Sequence, residues 1–300
     1  MSAAEPEEAE SLLAKYGRHL AVPLPGMTAR DLEARLRLLD AIDQHFATTT
    51  LEFLWGMHRR AVLDDRTREL VLIGQFAATR SHEHLELALR AAFARGLAPR
   101  EALESILLCQ VYAGDTAVIP AVRIFTRVAA EMGVLYALRD DQLPLDGNNR
   151  SRDLEAERAE WDPESAADPR REALMERHGW LGVSSGIHYR GTHHLGLLQH
   201  RDELDPEWAH LWLTFTYERM YSRWILDDAT RLLCTVGDTL AVGDMTQARA
   251  HMAETVKAGI APRRIMEVVL LVGPYFGSPR MAAGLTLFEA VLAEAGATLD

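Results

Sequence analysis

The sequence predicts an all-α protein built as two tandem helical bundles, and three observations carry that prediction. Apolar residues recur at steps of three and four through most of the chain, the spacing that lines one face of a helix. No segment sustains period-two alternation with β-branched enrichment, so strands are not expected. The chain also repeats itself at one fixed offset. Leu63-Asp64-Asp65-Arg66-Thr67-Arg68 returns as Leu226-Asp227-Asp228-Ala229-Thr230-Arg231, 163 residues later.

The same offset, carried forward without a gap, pairs Gly96-Leu97-Ala98-Pro99-Arg100 with Gly259-Ile260-Ala261-Pro262-Arg263. It then pairs Tyr112 and Gly114 with Tyr275 and Gly277, and Glu131 and Gly133 with Glu294 and Gly296. Over 63–133 against 226–296, 22 of 71 pairs are identical, and most of the others keep their polarity class. A repeat of this length means one supersecondary unit used twice.

Taken in order, an N-terminal helical stretch covers about 30–60. Asp64 and Asp65 supply a cap and acidic charge at the start of the next helix, about 64–80, whose Leu70, Ile73 and Ala77 share one face. A helix over 82–95 stops at Gly96, and Pro99 starts another in the first turn, where its missing N–H costs nothing. A further helix runs from Gly114 to about Met132. The second half repeats this order behind a helical stretch at 205–224. Between the halves, residues 139–171 are rich in charge, Asn and Pro and poor in apolar side chains, which predicts an exposed linker. The expected division is therefore 1–138, a linker at 139–171, and 172–300.

Composition narrows the function classes. The chain has 300 residues, 48% hydrophobic and 25% charged, with a formal net charge of −12. That charge, with no basic cluster to offset it, speaks against nucleic acid or an anionic membrane as partner. The first ten residues lack the pattern of a secretion signal, and every apolar run is too short to cross a bilayer, so a cytoplasmic protein is expected. The two cysteines, Cys109 and Cys234, are far apart in sequence and form neither a disulfide framework nor a C-x-x-C motif.

The stretch Arg60-Ala61-Val62-Leu63-Asp64-Asp65-Arg66-Thr67-Arg68-Glu69-Leu70, followed by Gly96-Leu97-Ala98-Pro99 and Val111-Tyr112-Ala113-Gly114, resembles a carboxymuconolactone decarboxylase domain. The second half resembles it again, from Met220-Tyr221-Ser222-Arg223-Trp224-Ile225-Leu226-Asp227 to Tyr275-Phe276-Gly277-Ser278-Pro279. The resemblance covers roughly 50–133 and 213–296. It implies two alkylhydroperoxidase D-like bundles and a lyase that works without metal or organic cofactor on a carboxylated or lactone-type small molecule. A cyclase, dehydratase or isomerase of a larger intermediate, or a non-catalytic scaffold, are the alternatives. The superfamily's thiol peroxidases use a C-x-x-C pair ahead of a histidine. Here those positions hold Ser81 and His84 in the first repeat and Asp244 and Gln247 in the second, so thiol peroxidase chemistry is excluded.

The family histidine maps to His251 in the second repeat and to Ala88 in the first. The family glutamate maps to Glu69 in the first and to Leu232 in the second. The halves have thus lost opposite parts. His84, one turn from Ala88, is the candidate to replace the missing imidazole beside Glu69, and Glu69, His84 and His251 are the catalytic candidates. Decarboxylation leaves an enolate that needs a nearby donor or cation and then an acid. Arg60 and Arg223, each ahead of an L-D-D, are candidates to hold a carboxylate, with a surface ion pair the competing role; Tyr221 joins them as a substrate-binding candidate. Arg68 and Arg231 fit salt bridges to the acidic helix starts. Tyr112 and Tyr275 need no role beyond core packing.

Six of the twelve histidines, His178, His188, His193, His194, His200 and His210, lie within 178–210. No metal-binding spacing on a helix appears, and the glycine-rich part from 179 to 196 reads as a loop. His188 and His194 are expected to line a substrate pocket. The family's ring assemblies imply a homo-oligomer, trimer or dimer.

Overall fold

The computed structural model describes residues 15–17, 28–134, 167–223 and 225–299. The described residues are helices and their connections, with no strand among them. Most of the expected linker, and the boundary drawn at 138, lie outside the described residues.

The stretch expected as one helix over 30–60 is two, α1 (Ala29–Ile42) and α2 (Gln44–His58). The break is Asp43, whose extended backbone ends α1 while its carboxylate receives the Phe46 N–H and caps α2. The first repeat continues with α3 (Asp65–Ala78), α4 (His82–Ala94), α5 (Pro99–Leu108), a one-turn α6 (Gln110–Ala113) and α7 (Asp115–Glu131). In the second, α8 (Arg171–His178), α9 (Trp180–Leu204) and α10 (Pro206–Leu213) lead through a π-helical turn (Thr214–Met220) and a 3₁₀ turn (Tyr221–Arg223). Then come α11 (Asp228–Val242), α12 (Met245–Lys257), α13 (Pro262–Phe276) and α14 (Ser278–Ala295).

The repeated L-D-D-x-T-R motif has one local job in both halves. Asp64 accepts the backbone N–H of Thr67 at 2.8 Å and its hydroxyl at 2.7 Å, and Asp227 accepts the same groups of Thr230 at 2.8 Å each. Each is the N-cap of its helix, a contribution of about 1 kcal/mol. Arg68 bonds Asp65 at 3.2 Å and the carbonyl of Leu63 at 2.9 Å, tying the helix start to the chain before it. Its counterpart Arg231, completely buried, instead lies 3.5 Å from Glu104 of the first repeat.

That contact belongs to the seam between the repeats, where α3 packs against α11. Leu63, Leu70, Val71 and Leu108 of the first repeat are buried in the core of the second, so the halves share a core. Arg60 binds Glu267 at 2.9 Å, and Arg223 binds Glu104 at 2.7 Å. The offset of 163 carries one bridge onto the other, as the two halves of an isologous dimer contact would be related. At the centre, Gly74 faces Asp238 and Gly237 faces Val71 and Gln75. Here glycine allows two helices to approach closely.

One expectation is corrected. The glycine-rich segment at 179–196 is not a loop: it forms most of α9, broken only at Gly191, whose φ of 56° lies where glycine is favoured. Val183, Ile187, Leu195 and Leu198 bury one face. The glycines are sites of close packing: a Cβ on Gly182 would stand 2.8 Å from Leu213, and Gly186 lies against the His194 ring.

Candidate active site

The family histidine position of the second repeat, His251, lies on α12 and is 1% exposed. Its Nε2 is 3.0 Å from the Arg190 Nη1 of α9 and 3.0 Å from the Tyr112 hydroxyl of α6. A guanidinium can only donate, so Nε2 accepts and the ring proton is assigned to Nδ1. Burial, and then the charge of Arg190, hold the imidazole well below its ordinary pKa. His251 is therefore a neutral acceptor at neutral pH.

Arg190 is itself buried, 4% exposed. Its Nη1 also donates to Gln247 at 3.1 Å, while Nε and Nη2 have no partner. Burial opposes its charge, but the electrostatic surroundings, the carboxylate of Glu254 among them, outweigh burial, and it stays protonated. No carboxylate among the described residues forms an ion pair with it. Nε and Nη2, which find no partner among the described residues, form an edge of the kind that grips a carboxylate bidentately, and both nitrogens are buried.

Arg190 helps to line a cavity of about 230 Å³, together with Tyr112, Arg201, Trp212, Tyr217 and Tyr221 among others. The guanidinium of Arg201 stacks on Trp212 at 4.0 Å. The hydroxyls of Tyr112 and Tyr221 are hydrogen-bonded to each other. Burial, then the neighbouring Tyr221, push Tyr112 well above the ordinary tyrosine pKa, so it keeps its proton. His251 does not line this cavity; it sits behind Arg190 and Tyr112. The π-helical turn supplies Thr216 and Tyr217, a distortion frequent at functional sites.

The sequence candidates fall into separate places. His251 and Tyr221 come together at this cavity. Glu69 and His84 do not form the expected pair. Glu69 binds Arg95 at the edge of a second pocket, of about 430 Å³, whereas His84 lies 3.3 Å from Arg35 and against the rings of Phe76 and Tyr275. After burial, the charges that His84 feels are Arg35 and Glu83. Arg60 and Arg223 are held in the ion pairs of the seam and do not line the cavity at His251. His188 binds Asp228 at 2.9 Å, at the start of α11. His194 is completely buried behind the cavity wall, its ring 4.4 Å from that of Tyr217, and burial followed by Arg190 and Arg201 brings its pKa down to about 3.

Sequence reasoning missed Arg190, Arg201 and Tyr217, and gave Tyr112 a packing role. Of the histidine-dense segment 178–210, the residues that line this cavity are Arg190, Leu197 and Arg201, and His188 and His194 are not among the lining residues. Among the described residues no three His, Cys, Asp or Glu side chains converge as a metal site would need. No described helix is long and apolar enough to cross a membrane.

A 30% identity over 121 residues relates the chain to a 4-carboxymuconolactone decarboxylase of Acinetobacter baylyi, across 40% of this chain and 90% of that protein. The family model described as the Carboxymuconolactone decarboxylase family matches twice, at residues 44–127 and 206–290. Arg190 and Arg201 lie outside both matches, while Tyr112, Tyr221 and His251 lie inside them. The chain thus belongs to the carboxymuconolactone decarboxylase family and carries its domain twice.

Proposed function

We propose that the chain is a cofactor-free lyase that binds a carboxylated small molecule in the cavity of the second repeat and cleaves it by acid–base chemistry. The observation that carries this reading is Arg190: a buried cation on the cavity wall that forms no ion pair with a carboxylate among the described residues. Burying a charge without a directly bonded counter-ion is costly, and a ligand carboxylate offsets that cost. When carbon dioxide leaves a carboxylate, the electron pair of the broken bond passes into an adjacent carbonyl or lactone as an enolate. Donors and a cation beside that oxygen lower the barrier, and the presence of Arg190, Arg201 and the tyrosines in the cavity lining supports this reading. The neutral His251 accepts from the phenol in front of it and orients it toward the cavity.

The likeness to a 4-carboxymuconolactone decarboxylase supports the reaction type, and 4-carboxymuconolactone is the substrate to try first. Carbon dioxide release by the wild-type chain, falling at least about 100-fold in Arg190→Gln, is the expected result. No release would overturn the decarboxylase reading. One feature favours a second reading, a cyclase, dehydratase or isomerase of an aromatic-derived intermediate: the cavity wall is built of Trp212, Tyr217 and Tyr221. Deuterium uptake beside a carbonyl without loss of carbon dioxide would identify that chemistry.

A further inference from the structure

We propose that Tyr112, carried across the seam by the first repeat, is the residue that meets the developing oxyanion of the ligand in the second-repeat cavity. This rests on the reading of that cavity as an acid–base site. The order of groups from the cavity inward argues for it. Tyr112 lines the cavity and His251 does not; the phenol stands 3.0 Å in front of the imidazole. Whatever His251 does for a ligand, it does through Tyr112 or Arg190, which makes it a positioning residue.

Tyr112 is also equipped as a donor. The Tyr221 hydroxyl can donate into the Tyr112 oxygen, which leaves the Tyr112 proton to point at His251 or at a ligand oxygen. A phenol that receives one hydrogen bond while giving another is polarised by it. Arg190 and Tyr112 meet at the same nitrogen of His251. Arg190 and Tyr112 also line the same cavity, so one ligand can meet the guanidinium with its carboxylate and the phenol with a second oxygen. The counterpart, Tyr275, stands in another setting. Its hydroxyl meets His58 at 2.7 Å, at the position equivalent to Tyr221, and Phe76 and Phe276 pack around it. Ala88 holds the place of His251 there. The consequence is one composite site per chain: the second repeat supplies the cation and the imidazole, and the first supplies the phenol.

The test uses the full chain and two probes that need no turnover. 4-Nitrophenolate imitates an enolate oxygen and has an absorbance band distinct from that of its phenol. Wild-type protein is expected to bind the dye as phenolate below the pH at which it ionises in water. Tyr112→Phe should weaken this binding about tenfold or more and abolish the shift, while Tyr275→Phe should match the wild type. Phenolate binding unchanged in Tyr112→Phe would overturn the proposal, and so would a wild type that binds no phenolate. Benzoate, the second probe, separates the two ideas. It should bind wild type and Tyr112→Phe within about threefold of each other and be lost in Arg190→Gln. Failure of benzoate to bind the wild type would count against the carboxylate reading itself. Melting curves of the variants check that each remains folded.

Discussion

The offset of 163 residues places Tyr112 and Tyr275 in equivalent positions, yet their surroundings have diverged. Around Tyr112 stand His251, Arg190 and Tyr221, beside a cavity with an unpaired cation. Around Tyr275 stand His58, His84 and Phe76, with the nearby Glu69 neutralised by Arg95. One repeat keeps the imidazole and gains a buried guanidinium from α9. The other keeps the carboxylate and ties it into an ion pair. A duplicated domain can therefore keep its backbone and its seam while specialising one site, because the two halves fold on a common core. The repeat without the complete site still contributes its phenol.

The largest expected effect tests whether the asymmetry is functional. If the working site is the one in the second repeat, His251→Asn should lower turnover of a carboxylated lactone about 10²–10⁴-fold, through its support of Tyr112 and Arg190. In the other half, where Ala88 holds the place of His251, Tyr275→Phe removes the His58 hydrogen bond and should cost about 1 kcal/mol of stability with turnover unchanged. Steady-state rates and urea titrations on both variants decide it. A loss of rate in Tyr275→Phe equal to that in His251→Asn would mean that both sites work.

A second comparison concerns the two bridges across the seam. Glu104 is 1% exposed and holds both Arg223 and the buried Arg231; Glu267 holds Arg60, whose side chain is 38% exposed. Breaking a buried pair by removing one charge costs about 3–5 kcal/mol, because the partner is left uncompensated. Glu104→Gln should fall in that range. Glu267→Gln strands an arginine that water can reach, and should cost about 1–2 kcal/mol. Chemical denaturation of both variants would show the difference, and equal losses would mean that the second arginine at Glu104 contributes nothing.

Much of this architecture was legible before any coordinates. The caps Asp64 and Asp227, the turns at Gly96 and Gly259 and the prolines behind them are local signals with local causes. The helices of both repeats therefore follow from them. His251 was legible because its spacing to Gly259 survives. What was not legible depends on distance in space. Nothing in the linear sequence says that Tyr112 reaches His251, 139 positions away, instead of a partner in its own repeat. Arg190 was hidden for another reason: arginines are mostly solvent-exposed, and only burial without a carboxylate makes this one unusual. The glycines of α9 gave a loop reading because glycine marks both turns and close packing, and composition cannot separate the two.

The seam glycines give a smaller contrast. A methyl group at Gly74 would stand 2.5 Å from Asp238 Oδ1 and 3.0 Å from Ser105 Oγ, so the fully buried Asp238 carboxyl would have to move. Gly74→Ala should destabilise by about 1–3 kcal/mol. At Gly237 the nearest atoms are the Val71 methyl at 3.0 Å and the Gln75 amide at 3.2 Å, both ends of side chains that can shift. Alanine's better helix propensity, about 1 kcal/mol, offsets part of that cost, so Gly237→Ala should lie within about 1 kcal/mol of wild type. Reversal of this order in urea titrations would show that α3 and α11 do not pack symmetrically at the seam.

The last contrast lies between Gln75 and Asp238, equivalent residues that are both completely buried at the seam. Gln75 is neutral at every pH. Asp238 has one weak donor, the Cys109 thiol at 3.6 Å, and its Oδ1 has no partner. Burial pushes its carboxyl well above the ordinary range, so it is held in the acid form. The native state then keeps a proton that the unfolded chain releases above the ordinary value of 3.8. Between that value and the raised native pKa the folded state binds more protons, so stability declines as pH rises through the window. Asp238→Asn removes the titration while keeping the shape. Its stability advantage should be near zero around pH 4 and grow toward pH 8, read as a rise in melting temperature of about 2–4 °C for each kcal/mol recovered. A variant no more stable than wild type at pH 8 would mean that the carboxyl group itself, through the bond from Cys109 or through an ionised form, is what the seam requires. The second repeat would then have gained a structural acid where the first kept an amide, a divergence unrelated to its cavity.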